Sequence, residues 1–256
     1  MDPGELLPSD VRGLLADICD GIGEGVGEDL VGVYAVGSTA QRDRVAGSDI
    51  DVLVVVEGAV ASLLDDLVGA VRDAVERSGE QRVECVVYDS RAVAAPTHPM
   101  PYALNLNVSP GRPPDVSPSG QPEHWYLLDV AMARRHALAL VGPPAEEVLG
   151  EADVASVAQA IIDSLDWHEE TAPTEPSTVL NACRGWMFLA GHGWASKTDA
   201  GRWAKEHWDS HVIDDALDAR TSGKPCALDP DQTCALIEHV RSYARDHVPA
   251  DDDPSG

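Results

Sequence analysis

Positive charge is what this sequence has least of. Eighteen lysines and arginines stand against 44 aspartates and glutamates, leaving a formal net charge of −26 over 256 residues. A surface of that sign repels phosphate backbones and anionic lipid within a Debye length, and no basic stretch interrupts it. Neither nucleic acid nor a membrane surface is therefore expected as a partner. A small cationic ligand would be attracted, although the same acidity also serves solubility, and the composition leaves both readings open. Long apolar runs are missing too: nothing approaches the roughly 20 residues that cross a bilayer. The N-terminus MDPGELLPSD lacks the basic-then-apolar order of a secretory signal, so the expected location is cytoplasmic. Cysteines are few, odd in number and scattered (Cys19, Cys85, Cys183, Cys226 and Cys234), without a CxxC pair. Reduced thiols are expected rather than a disulfide framework. None of the nine histidines stands in an HExxH motif, and satisfied or solvated imidazoles are expected. Internal repeats are absent, and no exposed apolar stripe is evident, so the chain is expected to be monomeric.

What is present begins with an amphipathic pattern between residues 6 and 30 (Leu6, Val11, Leu14, Leu15, Ile18, Ile22, Val26), read as a helix on a sheet. Val31 to Val36 reads as a strand, Gly37 and Ser38 as a turn, and Ile50 to Val56 as a second strand that opens on Asp49 and Asp51. Ala59 to Ser78 reads as a second helix, Arg82 to Tyr88 as a third strand and Leu104 to Val108 as a fourth. The proline-rich stretch from Ser109 to Pro122 is expected to be a loop or flap, and Trp125 to Leu140 mainly helical. Beyond a boundary placed between Gly142 and Asp153, strands fade. Five helices are expected there: Ala155 to Trp167, Ser177 to Ala190, Thr198 to His207, His211 to Arg220 and Pro230 to His247. The expectation is an α+β protein with a mixed-sheet domain over residues 1–147, an all-helical bundle over 148–248, and a disordered acidic tail over 249–256.

Chemistry concentrates in the first half. Alternate strand residues share a face, so Asp49 and Asp51 point the same way. Paired carboxylates beside a turn of backbone N–H groups can hold a divalent metal against a triphosphate. Glu84 is a carboxylate in an otherwise apolar strand, which is costly to bury unless paired, metal-bound or hydrogen-bonded. An edge-strand glutamate facing solvent is the alternative for Glu84 alone.

The ordered set Gly37-Ser38, ten residues, Asp49-Ile50-Asp51, strand, helix, then Glu84 in a strand resembles the nucleotidyltransferase superfamily built on a polymerase-beta-like palm. The segment from Tyr126 through Asp129 to Gly142, VLNACR from Val179 to Arg184, Ser196-Lys197 and Trp203-Ala204 are similar to the aminoglycoside 3''-adenylyltransferase family, the streptomycin and spectinomycin adenylyltransferases. That resemblance spans roughly residues 30 to 245. It implies an ATP- and Mg²⁺-dependent transfer of AMP to a hydroxyl of an aminoglycoside, and with it antibiotic resistance. It implies two Mg²⁺ ions on Asp49 and Asp51, and Glu84 as the general base. The ATP contacts it implies are Gly37, Ser38, Asp129, Arg184 and Lys197, the last two reaching the phosphates from the helical domain. Substrate recognition would fall to Trp167, Glu169, Glu170 and Glu175, carboxylates and an indole suited to ammonium or guanidinium groups. Two other readings remain open: a nucleotidyltransferase acting on another natural product or a protein side chain, and a nucleotide-binding regulator without turnover.

Overall fold

Short valine-rich apolar runs in the first half form the strands of one mixed sheet. The computed structural model describes residues 7, 9–58, 62–79, 81–224 and 226–247. The chain divides into two compact units, Met1–Arg44 with Ser48–Ala152, and Val45–Gly47 with Asp153–Gly256.

In the first unit the strands are β1 (Leu30–Ala35), β2 (Ile50–Val56), β3 (Val83–Asp89), β4 (Leu104–Val108), β5 (Asp115–Ser117) and β6 (Leu138–Val141). Their order in the sheet is β5-β4-β3-β2-β1-β6. The β2–β3 pair is parallel and every other pair is antiparallel. A parallel pair needs a crossover. Between β2 and β3 the chain runs through a helix, Leu64–Ser78, with Asp65 and Asp66 in its first turn, Arg77 in its last and Gly79 as a left-handed cap. Charges and cap thus follow the helix dipole and the αL stop.

The unit's helices are α1 (Ser9–Val26), α2 (Gly37–Ala40), α3 (Leu64–Ser78), α4 (Ser90–Ala94), α5 (Glu123–His136) and α6 (Ala145–Val148). One sheet face, carrying Ile50, Val52, Val54, Val83, Cys85, Val87, Leu104 and Leu106, packs with Val11, Leu15, Ile18 and Ile22 of α1 and Leu67, Val71 and Val75 of α3. A Cβ on Gly21 would lie 3.0 Å from Cβ of Ala70, and one on Gly25 2.8 Å from Cβ of Asp66. Bare glycines therefore let α1 and α3 approach closely. The opposite face is left for Asp51, Glu84, Tyr88, Asn105 and Asn107.

The second unit is helical: α7 (Val154–Thr171), α8 (Pro176–Met187), α9 (Lys197–Lys205), α10 (His211–Ser222) and α11 (Pro230–His247), with a π-type turn at Phe188–His192. The expected α+β organisation is what the structure has.

Several boundaries differ from the expectation. The helix expected to run to Leu140 stops at His136; Ala137 is extended, and residues 138–141 hydrogen-bond to β1 as an edge strand. The apolar run LALV served a helix or a strand equally well, and the open edge of β1 decides it. The Ser109 to Pro122 stretch contains β5, because Val116 and its neighbours pair with β4. Gly37-Ser38 opens a helical turn rather than a simple reverse turn. The helix expected to end at Trp167 continues to Thr171, so its acidic residues lie at a C-terminus. Leu6, residues 59–61 and the tail 249–256 lie outside the described residues. No helix among the described residues is long and apolar enough to cross a membrane.

Candidate active site

Strand register brings together the carboxylates of the first unit. Asp51 of β2 stands opposite Glu84 of β3, and Glu84 opposite Asn107 of β4. Asp49 precedes β2 by one residue, and its charge reaches Glu84. The glycine of the Gly-Ser turn is required by geometry. Gly37 has φ +57°, and a Cβ there would lie 1.9 Å from Oδ2 of Asp51. A side chain would thus collide with the carboxylate and strain the backbone. The backbone of the turn is also tied to that strand, since Val36 N donates to the Asp51 carbonyl at 3.0 Å.

Asp49 Oδ1 is shielded from solvent and accepts no hydrogen bond; the charge facing it is Arg82 Nε at 2.7 Å. That oxygen already answers to a cation, the Arg82 guanidinium, and hard carboxylate oxygens such as those of Asp49 and Asp51 also fit Mg²⁺. Among the described residues no group of three or more His, Cys, Asp or Glu side chains is drawn together as a metal cage. A phosphate-bound Mg²⁺ does not ask for one, because it usually takes one or two carboxylates and keeps phosphate and water as its remaining ligands.

Glu84 is half-buried. Burial pushes its carboxyl above the usual range, the Asn105 amide pulls it back, and the Asp49 charge pushes it up again. Asn105 is the organising residue that the sequence reading passed over. It is 2% exposed, and its Nδ2 lies 3.4 Å from Glu84 Oε1 and 3.1 Å from the Tyr126 hydroxyl. Asn107 Nδ2 donates in turn to Asn105 Oδ1 at 3.0 Å. The signal was available in LNLNV, where two amides alternate with apolar residues and so share one face. Arg44 was passed over too: it donates to Thr39 Oγ1, the Asp49 carbonyl and Gln81 Oε1 at 3.2–3.3 Å, pinning the loop between the turn and β2. Asp129 is exposed on α5, one turn beyond Tyr126. Its charge reaches the buried Tyr88 hydroxyl, which is raised well above the tyrosine range by burial first and then by Asp129, Tyr126 and Glu84. Ser38 is half-buried in α2.

The helical unit holds the other candidates. Lys197 is the first residue of α9, after Ser196, whose hydroxyl accepts from Asp199 N at 3.1 Å. A lysine there adds its charge to the positive end of the helix, an arrangement that suits an anion. Lys197 lines a cavity of about 560 Å³ with Arg220, Lys224, Glu175, Ser177 and Leu180. Three basic residues around one cavity are conspicuous in a chain with only 18. Glu175 therefore stands among cations, surroundings that favour an anion over a cationic acceptor.

Arg184 is half-buried on α8 and donates to Asn181 Oδ1 at 3.0 Å. Trp167 packs edge-on against His168, ring centroids 4.9 Å apart. Glu169 faces Arg241, with 2.5 Å between Oε2 and Nη2, and this arginine holds its carboxyl below the usual range. Arg241 also meets Asp166 at 2.5 Å. It thereby offsets two acidic groups at the C-terminal end of α7, where the helix dipole disfavours them. Glu170 is exposed. His207 and His211 have HxxxH spacing, but α9 ends at Lys205 and α10 starts at His211, so no single helical face presents both.

Residues 147–246 match the family model described as the C-terminal domain of aminoglycoside adenylyltransferase. Spectinomycin 9-adenylyltransferases of Staphylococcus aureus strains Mu50 and N315 are each 27% identical over 196 residues, covering 71% of this chain and 75% of the relative. A crystal structure of the spectinomycin adenyltransferase AAD(9) from Enterococcus faecialis with ATP and spectinomycin matches with a TM-score of 0.69. The match has 18% identity and covers 91% of this chain and 98% of that one.

Proposed function

From its kinship with the aminoglycoside adenylyltransferases, whose C-terminal domain residues 147–246 match, we propose that the protein transfers AMP from ATP to a hydroxyl of an aminoglycoside. Spectinomycin is the first candidate acceptor and streptomycin the second. The observation that carries the reading is the gathering of Asp49, Asp51 and Glu84 at one end of one sheet face beside Gly37.

Asp49 and Asp51 would hold Mg²⁺, which when bound neutralises the triphosphate and orients its α-phosphorus. Backbone N–H groups at Gly37 and Ser38 would carry the outer phosphates, with Arg184 and Lys197 adding positive charge. Asp129 is kept as a nucleotide or acceptor contact. Glu84 would accept the proton of the acceptor hydroxyl as its oxygen bonds to the α-phosphorus, while the bond to the bridging oxygen breaks and pyrophosphate leaves. Its raised pKa suits that role, because a stronger base drives proton transfer better. Trp167 and Glu170 would face the cationic acceptor. Glu169 is already committed to Arg241, which limits what it could offer.

The test is incubation with labelled ATP, Mg²⁺ and a panel containing spectinomycin and streptomycin. Adenylylated product with at least one member is expected, and none with any member would sink the aminoglycoside reading. Glu84→Ala should lower turnover by about 10²–10⁴-fold while leaving ATP binding in calorimetry nearly intact. Unchanged turnover would remove Glu84 from the role of base.

A further inference from the structure

His168 lies in the last turn of α7 and is 7% exposed. A buried imidazole has two polar nitrogens to satisfy, and here both face side chains of α8. Its Nδ1 is 3.3 Å from Thr178 Oγ1 and its Nε2 is 2.9 Å from Asn181 Nδ2. Thr178 Oγ1 is also 2.7 Å from the Ala172 carbonyl, to which it donates. Asn181 Oδ1 in turn accepts from Arg184 Nη2 at 3.0 Å.

Every direction in this chain of bonds follows from the Ala172 carbonyl. A hydroxyl has one proton, and that of Thr178 goes to the carbonyl, so towards His168 it can only accept. Nδ1 of His168 must then carry the ring proton, and Nε2 presents a lone pair. The lone pair takes an N–H from Asn181, which fixes the amide with its oxygen towards Arg184. A guanidinium has only donors, so this is the orientation that it requires. Turning the amide over would set donor against donor at Arg184 and lone pair against lone pair at His168. Thr178, Asn181 and Arg184 are three residues apart on one stripe of α8, leading from a fully buried hydroxyl to a half-buried cation.

We infer that His168, as its neutral Nδ1–H tautomer, is a positioning residue for Arg184, acting through Asn181. The inference rests on the reading of Arg184 as an ATP contact. Holding the guanidinium before the nucleotide arrives lowers the ordering cost of binding. His168 itself touches no reacting atom.

Two measurements on the full chain test it. Long-range ¹H–¹⁵N NMR of the imidazole should show the Nδ1–H tautomer in the wild type, and an Nε2–H tautomer there would overturn the relay. Calorimetry with ATP and Mg²⁺ should show affinity falling about three- to tenfold in His168→Leu. His168→Gln, whose amide oxygen can still accept from Asn181, should stay within about twofold of wild type on the same scale. Added to Arg184→Ala, His168→Leu should cost nothing further. A full additional loss in that background would overturn the positioning role, as would a His168→Gln that behaves like His168→Leu. An Arg184→Ala variant that binds ATP as well as wild type would instead overturn the ATP reading of Arg184, while the tautomer would still decide whether the relay exists. Asn181→Leu serves as a second break in the chain should His168→Leu fail to fold, and it should reproduce the loss.

Discussion

Replacing Gly37 with alanine probes the site through its tightest contact. The added Cβ would lie 1.9 Å from Asp51 Oδ2 and 2.8 Å from its Cγ, distances that real Cβ atoms essentially never show, so something must shift. The carboxylate must retreat by about 1 Å, or the turn must move, and displacement on that scale costs roughly 100-fold in rate. A φ of +57° adds roughly 1–2 kcal/mol for any residue with a side chain. At roughly 2–4 °C per kcal/mol for domains of this size, that strain alone should lower melting by about 2–8 °C, and the collision adds to it in the wild-type background. The assay is kcat/KM for AMP transfer together with a thermal melt, in the wild-type and Asp51→Ala backgrounds. Without the Asp51 carboxylate the collision disappears and only the backbone strain remains, so the melting penalty of Gly37→Ala should shrink in the double variant. Activity within about threefold of wild type, a loss far short of that expected for such a displacement, would refute the reasoning. An equal melting penalty in both backgrounds would refute it as well.

Two further expectations concern charge. Glu84 must be ionised to act as a base, and burial raises its pKa, so the acid limb of kcat/KM should lie above the ordinary carboxylate range. Asn105→Leu removes the hydrogen bond that opposes the rise and should move that limb to higher pH; a limb that stays or falls contradicts the assignment. Ionising Glu84 also costs more in the folded state than in the unfolded one. Its contribution to stability is therefore present below the ordinary carboxylate range and lost as pH climbs through the raised value. Arg241 is 12% exposed and meets Asp166, Glu169 and Glu238 at 2.5–3.3 Å. Arg241→Leu should cost roughly 1–2 kcal/mol in urea melts at low salt, a modest figure because the partner carboxylates remain 33–60% exposed and screened. Glu169 has a depressed pKa, so the stability it contributes is present above the ordinary carboxylate range and lost as pH falls through the depressed value. That acid-side loss should flatten in the variant, and an unchanged pH profile would show that Arg241 is not its source.

Local pattern carried much of this protein. The short valine-rich runs IDVLVVV and VECVVYD mark strands covered on both faces. Alternation in LNLNV marks a strand because pleat sends successive side chains to opposite faces, and spacing of three or four marks α1, α3 and α11 as helices. The pairing of Asp51 with Glu84 beside Gly37 was legible because residues at alternate positions of neighbouring strands share one sheet face. Short apolar runs were not legible: LALV became an edge strand only because β1 had an unpaired side, and β5 formed only because β4 offered one.

Partner choice is what tertiary structure alone decided. Nothing in DWHEE distinguishes a glutamate awaiting a cationic ligand from one held by an arginine 72 residues away, yet Arg241 takes Glu169 and Glu170 stays exposed. Nor does a single histidine in the sequence disclose its tautomer, which requires the carbonyl of Ala172, the hydroxyl of Thr178 and the amide of Asn181 to meet. The sequence by itself determined which residues could do the chemistry, because residue type and periodicity are local properties. Which of them are available for it depends on charges and hydrogen-bond donors brought together by packing between elements distant in the chain, and those are settled only when the helices and strands have docked.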